Sequence, residues 1–240
     1  MYKKKKIVAI IPARKGSKGV KDKNIKKIND VPLISFTIRS AIKSKLFADI
    51  VVSTDSEIIK GIAEEEGASV PFIRSDDLSH DTALAVPVIQ DAVINIQSLN
   101  NKKYDAVCML QPTSPLRSEA DYNNVVELFD SDDVDSVISV VEVNQHPYKM
   151  VRKSSNDLLM PFLDWPIENP PRQKLPKLYT YNGAFYLSKY NVLMNENTFK
   201  GANCKLYEMP ESRSVNIDTE NDFLLAASII KNKINKDDNG

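Results

Sequence analysis

Short, β-branched apolar runs alternate along this chain with stretches of helical periodicity, and that alternation restricts its fold more than any other feature. Residues 7–11 (IVAII) predict a fully buried strand, bounded by lysines and Pro12. Residues 50–53, 69–73, 106–110 and 136–143 predict four more strands. Between them, helices are predicted over 33–44, opened by Pro32, over 56–66, capped by Asp55 and ended by Gly67, over 83–99, and over 119–129. The stripe expected on the first helix is Leu33, Phe36, Thr37, Ser40 and Ala41. Strands joined through helices need crossover connections, hence a mostly parallel sheet covered on both faces.

From 145 to 181 this rhythm breaks. Six prolines (Pro147, Pro161, Pro166, Pro170, Pro171, Pro176) and Trp165 fall there, and the segment is read as an inserted excursion, a hairpin arm rather than a second domain. Residues 185–187 rejoin the sheet. A last helix is predicted over 220–234, with Asp218 or Thr219 as its cap. The expected organisation is one domain over 1–240, with the excursion at 145–181.

The chain has 240 residues, 32 Lys+Arg and 32 Asp+Glu. Zero net charge argues against wholesale nucleic-acid or membrane binding. The balance conceals an asymmetry: residues 1–30 hold eleven Lys+Arg against two Asp+Glu, and the remainder holds 21 against 30. No apolar run approaches the ~20 residues of a membrane span. Cys108 and Cys204 are isolated, which favours a reducing cytoplasm.

The positive charge centres on the loop after the first strand, Pro12-Ala13-Arg14-Lys15-Gly16-Ser17-Lys18-Gly19, continuing to Lys23 and Asn24. A loop leaving a buried parallel strand is where such folds bind ligands. Glycines let amides close on an anion, and Arg14, Lys18 and Lys23 supply charge for a polyphosphate. The pattern lacks the Gly-Lys-Ser/Thr of a P-loop and the third glycine of a dinucleotide fingerprint. Basic runs are often only solvated surface; the position after a buried strand, the two glycines and Arg14 favour phosphate binding.

The run IIPARKGSKGVKDKN (10–24) closely resembles the nucleotide signature of sugar cytidylyltransferases, and in particular of the CMP-sialic acid synthetases (acylneuraminate cytidylyltransferases) and their legionaminate relatives. LQPTSPLR (110–117), QHPYK (145–149), PRQ (171–173), NGAFY (182–186) and NIDTE (216–220) resemble the same family in the same order. The resemblance implies a three-layer, Rossmann-like α/β fold with a mostly parallel mixed sheet and an inserted dimerisation arm. It implies CTP and an acidic nine-carbon 2-keto sugar as substrates, N-acetylneuraminate first, a CMP-sugar and pyrophosphate as products, Mg2+ as cofactor, and a homodimer. Alternatives are a legionaminate or eight-carbon 3-deoxy-octulosonate substrate, or a catalytically weak nucleotide-binding scaffold.

Residue by residue, the resemblance places Arg14 and Lys18 on the triphosphate, with Ser17, Lys23, Asn24, Arg74 and Thr82 as further nucleotide contacts. Arg74 read alone is an exposed strand-end arginine. Gln111, Lys149, Arg172, Tyr186 and Phe199 match sugar-binding positions; a sugar carboxylate calls for cations such as Lys149 and Arg172. Asp218 and Asn216 match the metal position, and Arg14, Lys18 and Asp218 carry the catalytic expectation. Four departures stand out: Asn216 replaces the family's usual aspartate, Ala85 a serine, Thr180-Tyr181 an arginine, and Lys200 an aromatic beside Phe199. Neither His80 nor His146 belongs to a triad-like pattern.

Overall fold

The structure, a computed structural model, describes residues 5–17, 19–163 and 171–237, with side chains to 233. Lys18, Trp165, Pro166 and Pro170 lie outside the described residues.

β1 (Ile7–Pro12) alternates perfectly: Ile7, Ala9 and Ile11 face one core, Val8 and Ile10 the other. This is the period of two that a strand buried on both faces requires. A small antiparallel pair, β2 (Lys27–Ile28) and β3 (Val31–Pro32), leads into α1 (Leu33–Ser44). α1 buries Leu33, Ile34, Ser35, Thr37, Ile38 and Ala41; the expected stripe of Leu33, Thr37 and Ala41 is widened by Ile34 and Ile38, while Phe36 and Ser40 are half-buried at its other margin.

β4 (Asp49–Ser53) is followed by α2 (Glu57–Glu65). Its cap is Ser56, whose hydroxyl accepts the Ile59 N–H, and not Asp55. The expected strand over 69–73 reduces to one bridge, Val51 with Ser69. Pro71 lacks the N–H that would extend the ladder.

α3 (Ala85–Asn100) tolerates Pro87 because first-turn amides have no intrahelical partner. β5 (Ala106–Met109) and α4 (Glu119–Phe129) follow, the latter closed by a Ser118–Asp121 capping box. β6 (Ser136–Glu142) precedes the exposed hairpin β7 (Val151–Lys153) and β8 (Leu159–Pro161).

β9 (Tyr179–Lys189) is eleven residues long. α5 (Tyr190–Asn195), β10 (Cys204–Glu208) and α6 (Glu220–Asp237) complete the described chain. The sequence reading contained neither α5 nor β10; β10 is a half-exposed edge strand without a continuous apolar run.

The sheet order is β10-β6-β9-β5-β1-β4. Only β9 runs antiparallel to its neighbours. α1, α2 and α4 pack on one face; α3 and α5 pack on the other. The expected three-layer, mostly parallel mixed architecture is therefore the observed one. α6 builds a third cluster with Val20, Ile28, Leu33 and Ile217, which ties the loop after β1 to the segment before α6. Among the described residues no helix is long and apolar enough to cross a membrane.

Candidate active site

β1 and β5 lie side by side and parallel, and their connections leave in opposite directions along the sheet. A crevice opens at the carboxyl ends of such a pair. There the structure has a cleft of about 580 Å³, walled by the β1 loop (Arg14, Ser17, Gly19, Lys23, Asn24), by Arg74, His80, Asp81 and Ala85 among others of the segment before and into α3, by Gln111–Thr113 and by Asn216 and Asp218.

The β1 loop is held by its backbone. The Ala13 N–H donates to Ser53 O, the Lys15 N–H donates to Asp55 Oδ1 at 2.8 Å, and Asn24 Nδ2 donates to Arg14 O at 3.0 Å. Asp55, freed from the capping role, is thus a brace for the loop. Arg14 pairs with Asp81 at 2.6 Å and also donates to the carbonyls of Lys15 and Gly16. A side chain at Gly19 would collide with the Asp218 carbonyl, so glycine there lets the two loops touch. Lys23 completes that contact, donating to Ile217 O and standing 3.4 Å from Asp218 Oδ1.

Arg74 is only 4% exposed, unlike the exposed arginine its sequence position suggests. Its Nε donates to Ser79, Asp55 lies 4.0 Å from its Nη2, and Nη2 itself has no hydrogen-bond partner. Burial pushes its pKa down; Asp55 opposes the shift and Arg14 adds to it. A desolvated, unsatisfied donor in a cleft wall suits an anionic or carbonyl acceptor. Thr82 bonds His80 at 2.9 Å on the exposed surface and does not line the cleft.

Opposite, Arg117 holds the Gln111 turn. Its guanidinium donates to the carbonyls of Gln111, Ser114 and Ala184 and to Thr37, and it stands over the Phe185 ring. Gly183, with φ +76°, brings the β9 backbone under Gln111: a Cβ there would collide with Gln111 Oε1 and come within 2.9 Å of Ser114 Oγ.

Thr219 and Asp222 form the box that starts α6, so Asp218 is not the cap and its carboxylate remains at the cleft. Asn216 Nδ2 donates to Asp218 Oδ2 at 3.0 Å, while Asn216 Oδ1 is buried without a partner. Asp121, already boxed with Ser118, also takes two bonds from Arg213 and one from Tyr207, anchoring the segment that leads to Asn216. Arg117, Gly183, Asp121 and Asp55 escaped the sequence reading as site-building residues. The LQPTSPLR and NGAFY runs contained two of them but gave no clue to their contacts.

No group of three or more His, Cys, Asp or Glu side chains among the described residues forms a metal cluster. Asp218 and the Asn216 carboxamide are the oxygen donors at this edge, a set that suits a hard cation completed by phosphate oxygens and water. Cys108 is buried and burial pushes its thiol up to about 12, so it is no nucleophile.

The other predicted sugar contacts stand apart. Lys149 and Arg172 are exposed on the excursion, Phe199 is core, and Tyr186 is half-buried beside Phe199 and Tyr181; none lines the cleft. A second cavity, about 750 Å³, lies between the end of β6, residues 211–215 and α6, and Asn216 borders both.

A cytidylyltransferase family profile matches residues 8–160. The chain belongs to the cytidylyltransferase family. It is 36% identical over 236 residues to post-translational flagellin modification protein B of Campylobacter coli, covering 95% of this chain and 96% of that one. It is 35% identical to the CMP-N,N'-diacetyllegionaminic acid synthase of Campylobacter jejuni, covering 95% and 96%. With the N-acylneuraminate cytidylyltransferase of Streptococcus agalactiae serotype V the identity is 35%, and this chain spans about half (52%) of that protein's length. The fold is shared with a CMP:2-keto-3-deoxy-manno-octonic acid synthetase solved with CTP, at TM-score 0.69 and 16% identity, covering 95% of this chain and 99% of that one.

Proposed function

We propose that this cytidylyltransferase activates an acidic nine-carbon 2-keto sugar, with N-acetylneuraminate or a diacetylated legionaminate as the leading substrates. The anomeric hydroxyl attacks the α-phosphorus of CTP. The bond to the β-phosphate breaks, pyrophosphate leaves, and the hydroxyl proton is lost. Such transfers depend on positioning and charge neutralisation. Arg14, Lys18 and Lys23, with Ser17, would hold the triphosphate, and Arg74 and Asn24 the nucleotide side of the cleft. Gln111 would face the sugar, while Lys149 and Arg172 would answer its carboxylate, with Tyr186, backed by the buried Phe199, flanking its acyl and glycerol-like parts. Magnesium would be held by Asp218, with Asn216 as a neutral oxygen donor, and would supply charge to the departing pyrophosphate.

The observation that carries this reading is the joining of Arg14, Lys23 and Asp218 across one cleft at the β1–β5 edge. The relatives named for N-acylneuraminate and diacetyllegionaminic acid support the sugar class. A homodimer built through the excursion at 145–181 is supported by the exposed apolar side chains of its hairpin, among them Val151, Leu159 and Phe162. Two free cysteines, Cys108 and Cys204, support a cytoplasmic home.

Pyrophosphate release with CTP, magnesium and a panel of sugar acids tests the proposal. Turnover with at least one nine-carbon acid is expected. Release with none of the neuraminate, legionaminate or pseudaminate derivatives would refute it, and release with only the eight-carbon acid would move the substrate class.

A further inference from the structure

The QHPYK run contains a histidine that the site described above leaves without a task. His146 is 7% exposed, whereas the chain's other histidine, His80, is exposed. Its ring stacks on Tyr148 with centroids 5.2 Å apart. Nε2 lies 3.0 Å from the Pro176 carbonyl, thirty residues later, and Nδ1 lies 3.2 Å from the Tyr148 N–H. A carbonyl can only accept and an N–H can only donate, so these partners select the neutral ring with its proton on Nε2. Both polar atoms of the ring are then spoken for, one on each end of the excursion.

Around it the two ends are closed into a neck. The Val143 N–H donates to Leu178 O, Glu142 pairs with Lys177 at 3.5 Å, and Arg172 Nη2 donates to Asn144 Oδ1 at 3.1 Å. The Lys149 N–H donates to His146 O at 2.8 Å, so the turn bearing Lys149 starts directly from the histidine. The space left beside His146, Arg172 and Pro176 is about 30 Å³, room for water but not for a sugar. This is a packed joint, not a ligand site.

We propose that His146 is a positioning residue: by clasping both ends of the excursion it fixes where Lys149 and Arg172 stand. The inference rests on the reading above that these two cations hold the sugar carboxylate. A histidine that merely fills space would act differently, since any side chain of similar bulk would replace it.

Two conservative variants separate these roles. The carboxamide of Gln reaches the position of Nε2, so His146→Gln keeps a donor for Pro176. Asn reaches only the position of Nδ1, so His146→Asn keeps the turn but opens the clasp. In steady-state kinetics with CTP and N-acetylneuraminate, His146→Asn should raise the sugar KM about 3- to 10-fold, the loss expected of one buried hydrogen bond. The CTP KM should stay within about twofold, His146→Gln should stay near wild type, and amide exchange at Val143 should accelerate in His146→Asn alone. Equal rises in both KM values, or a Gln variant as impaired as the Asn variant, would overturn the proposal. Lys149→Ala is the control. If it leaves the sugar KM unchanged, the sugar reading fails and takes this role with it; if it raises that KM while His146→Asn does not, the positioning role alone fails.

Discussion

The cleft at the β1–β5 edge and the excursion carry comparable cations but root them differently. Around the cleft, Arg74, Arg117 and Asn24 are buried: Arg117 ties the Gln111 turn to β9, Asn24 closes the β1 loop on itself, and Arg74 faces Asp55. On the excursion, Lys149 and Arg172 are exposed and depend on a neck of a few hydrogen bonds. Preorganised groups cost no rearrangement when charge develops on phosphate, so rigidity belongs on the side where the chemistry is constant. On the proposed reading the sugar would be chosen by a separable segment, which suits variation in substrate.

That contrast can be broken first at its strongest point. Arg14→Ala should lower kcat/KM for CTP by about 10²- to 10³-fold. Because Arg14 is half-exposed on a loop, the melting temperature should move by no more than about 2 °C. Lys18→Ala is expected to act in the same direction. A CTP kcat/KM unchanged in either variant, measured by pyrophosphate release, would remove the triphosphate role.

Gly183→Ala attacks the joint between the halves. Its φ of +76° and the collision with Gln111 Oε1 should cost about 1–3 kcal/mol of stability. By displacing Gln111 it should lower the sugar kcat/KM about 10-fold while sparing CTP binding, read by paired kinetics and thermal melts.

Asp121 sharpens the comparison from the cleft side. Burial works to raise its pKa, but bonds from Arg213, Ser118 and Tyr207 outweigh it and hold the carboxyl below its ordinary range. A carboxylate whose folded pKa is depressed stabilises the fold above its unfolded pKa, near 4, and loses that contribution as pH falls through the folded value. Wild-type melting temperature should therefore drop as pH is lowered from about 5 through that range, and the drop should be shallower in Asp121→Asn. At neutral pH that variant should melt about 4–8 °C lower, from a loss near 2 kcal/mol. Thr82→Ala, whose hydroxyl bonds only exposed His80, should change CTP kinetics less than twofold.

What the sequence revealed follows its physical strength. β1 was legible because burial on both faces leaves a continuous apolar run, and α1 because Pro32 marks where a helix of strong apolar periodicity opens. β10 was not, since an edge strand with Lys205, Glu208 and exposed Leu206 carries no apolar run. The loop after β1 was readable from Arg14 to Asn24 as a local pattern of cations and glycines. Asp55, Asp121 and Arg117 act through partners dozens of residues away, and no local pattern announces them. Asp218 and Thr219 competed for one cap on paper; only the Thr219–Asp222 box decides between them.

The most direct measurement is calorimetric titration of CTP, and then of N-acetylneuraminate in its presence, onto the wild-type chain and Lys149→Ala/Arg172→Ala. The two-sided site predicts CTP affinity within about threefold of wild type and sugar affinity reduced at least about 10-fold, the scale of losing charge-assisted bonds to a carboxylate. Equal loss of both ligands, or retention of both, would contradict the division of the site between cleft and excursion.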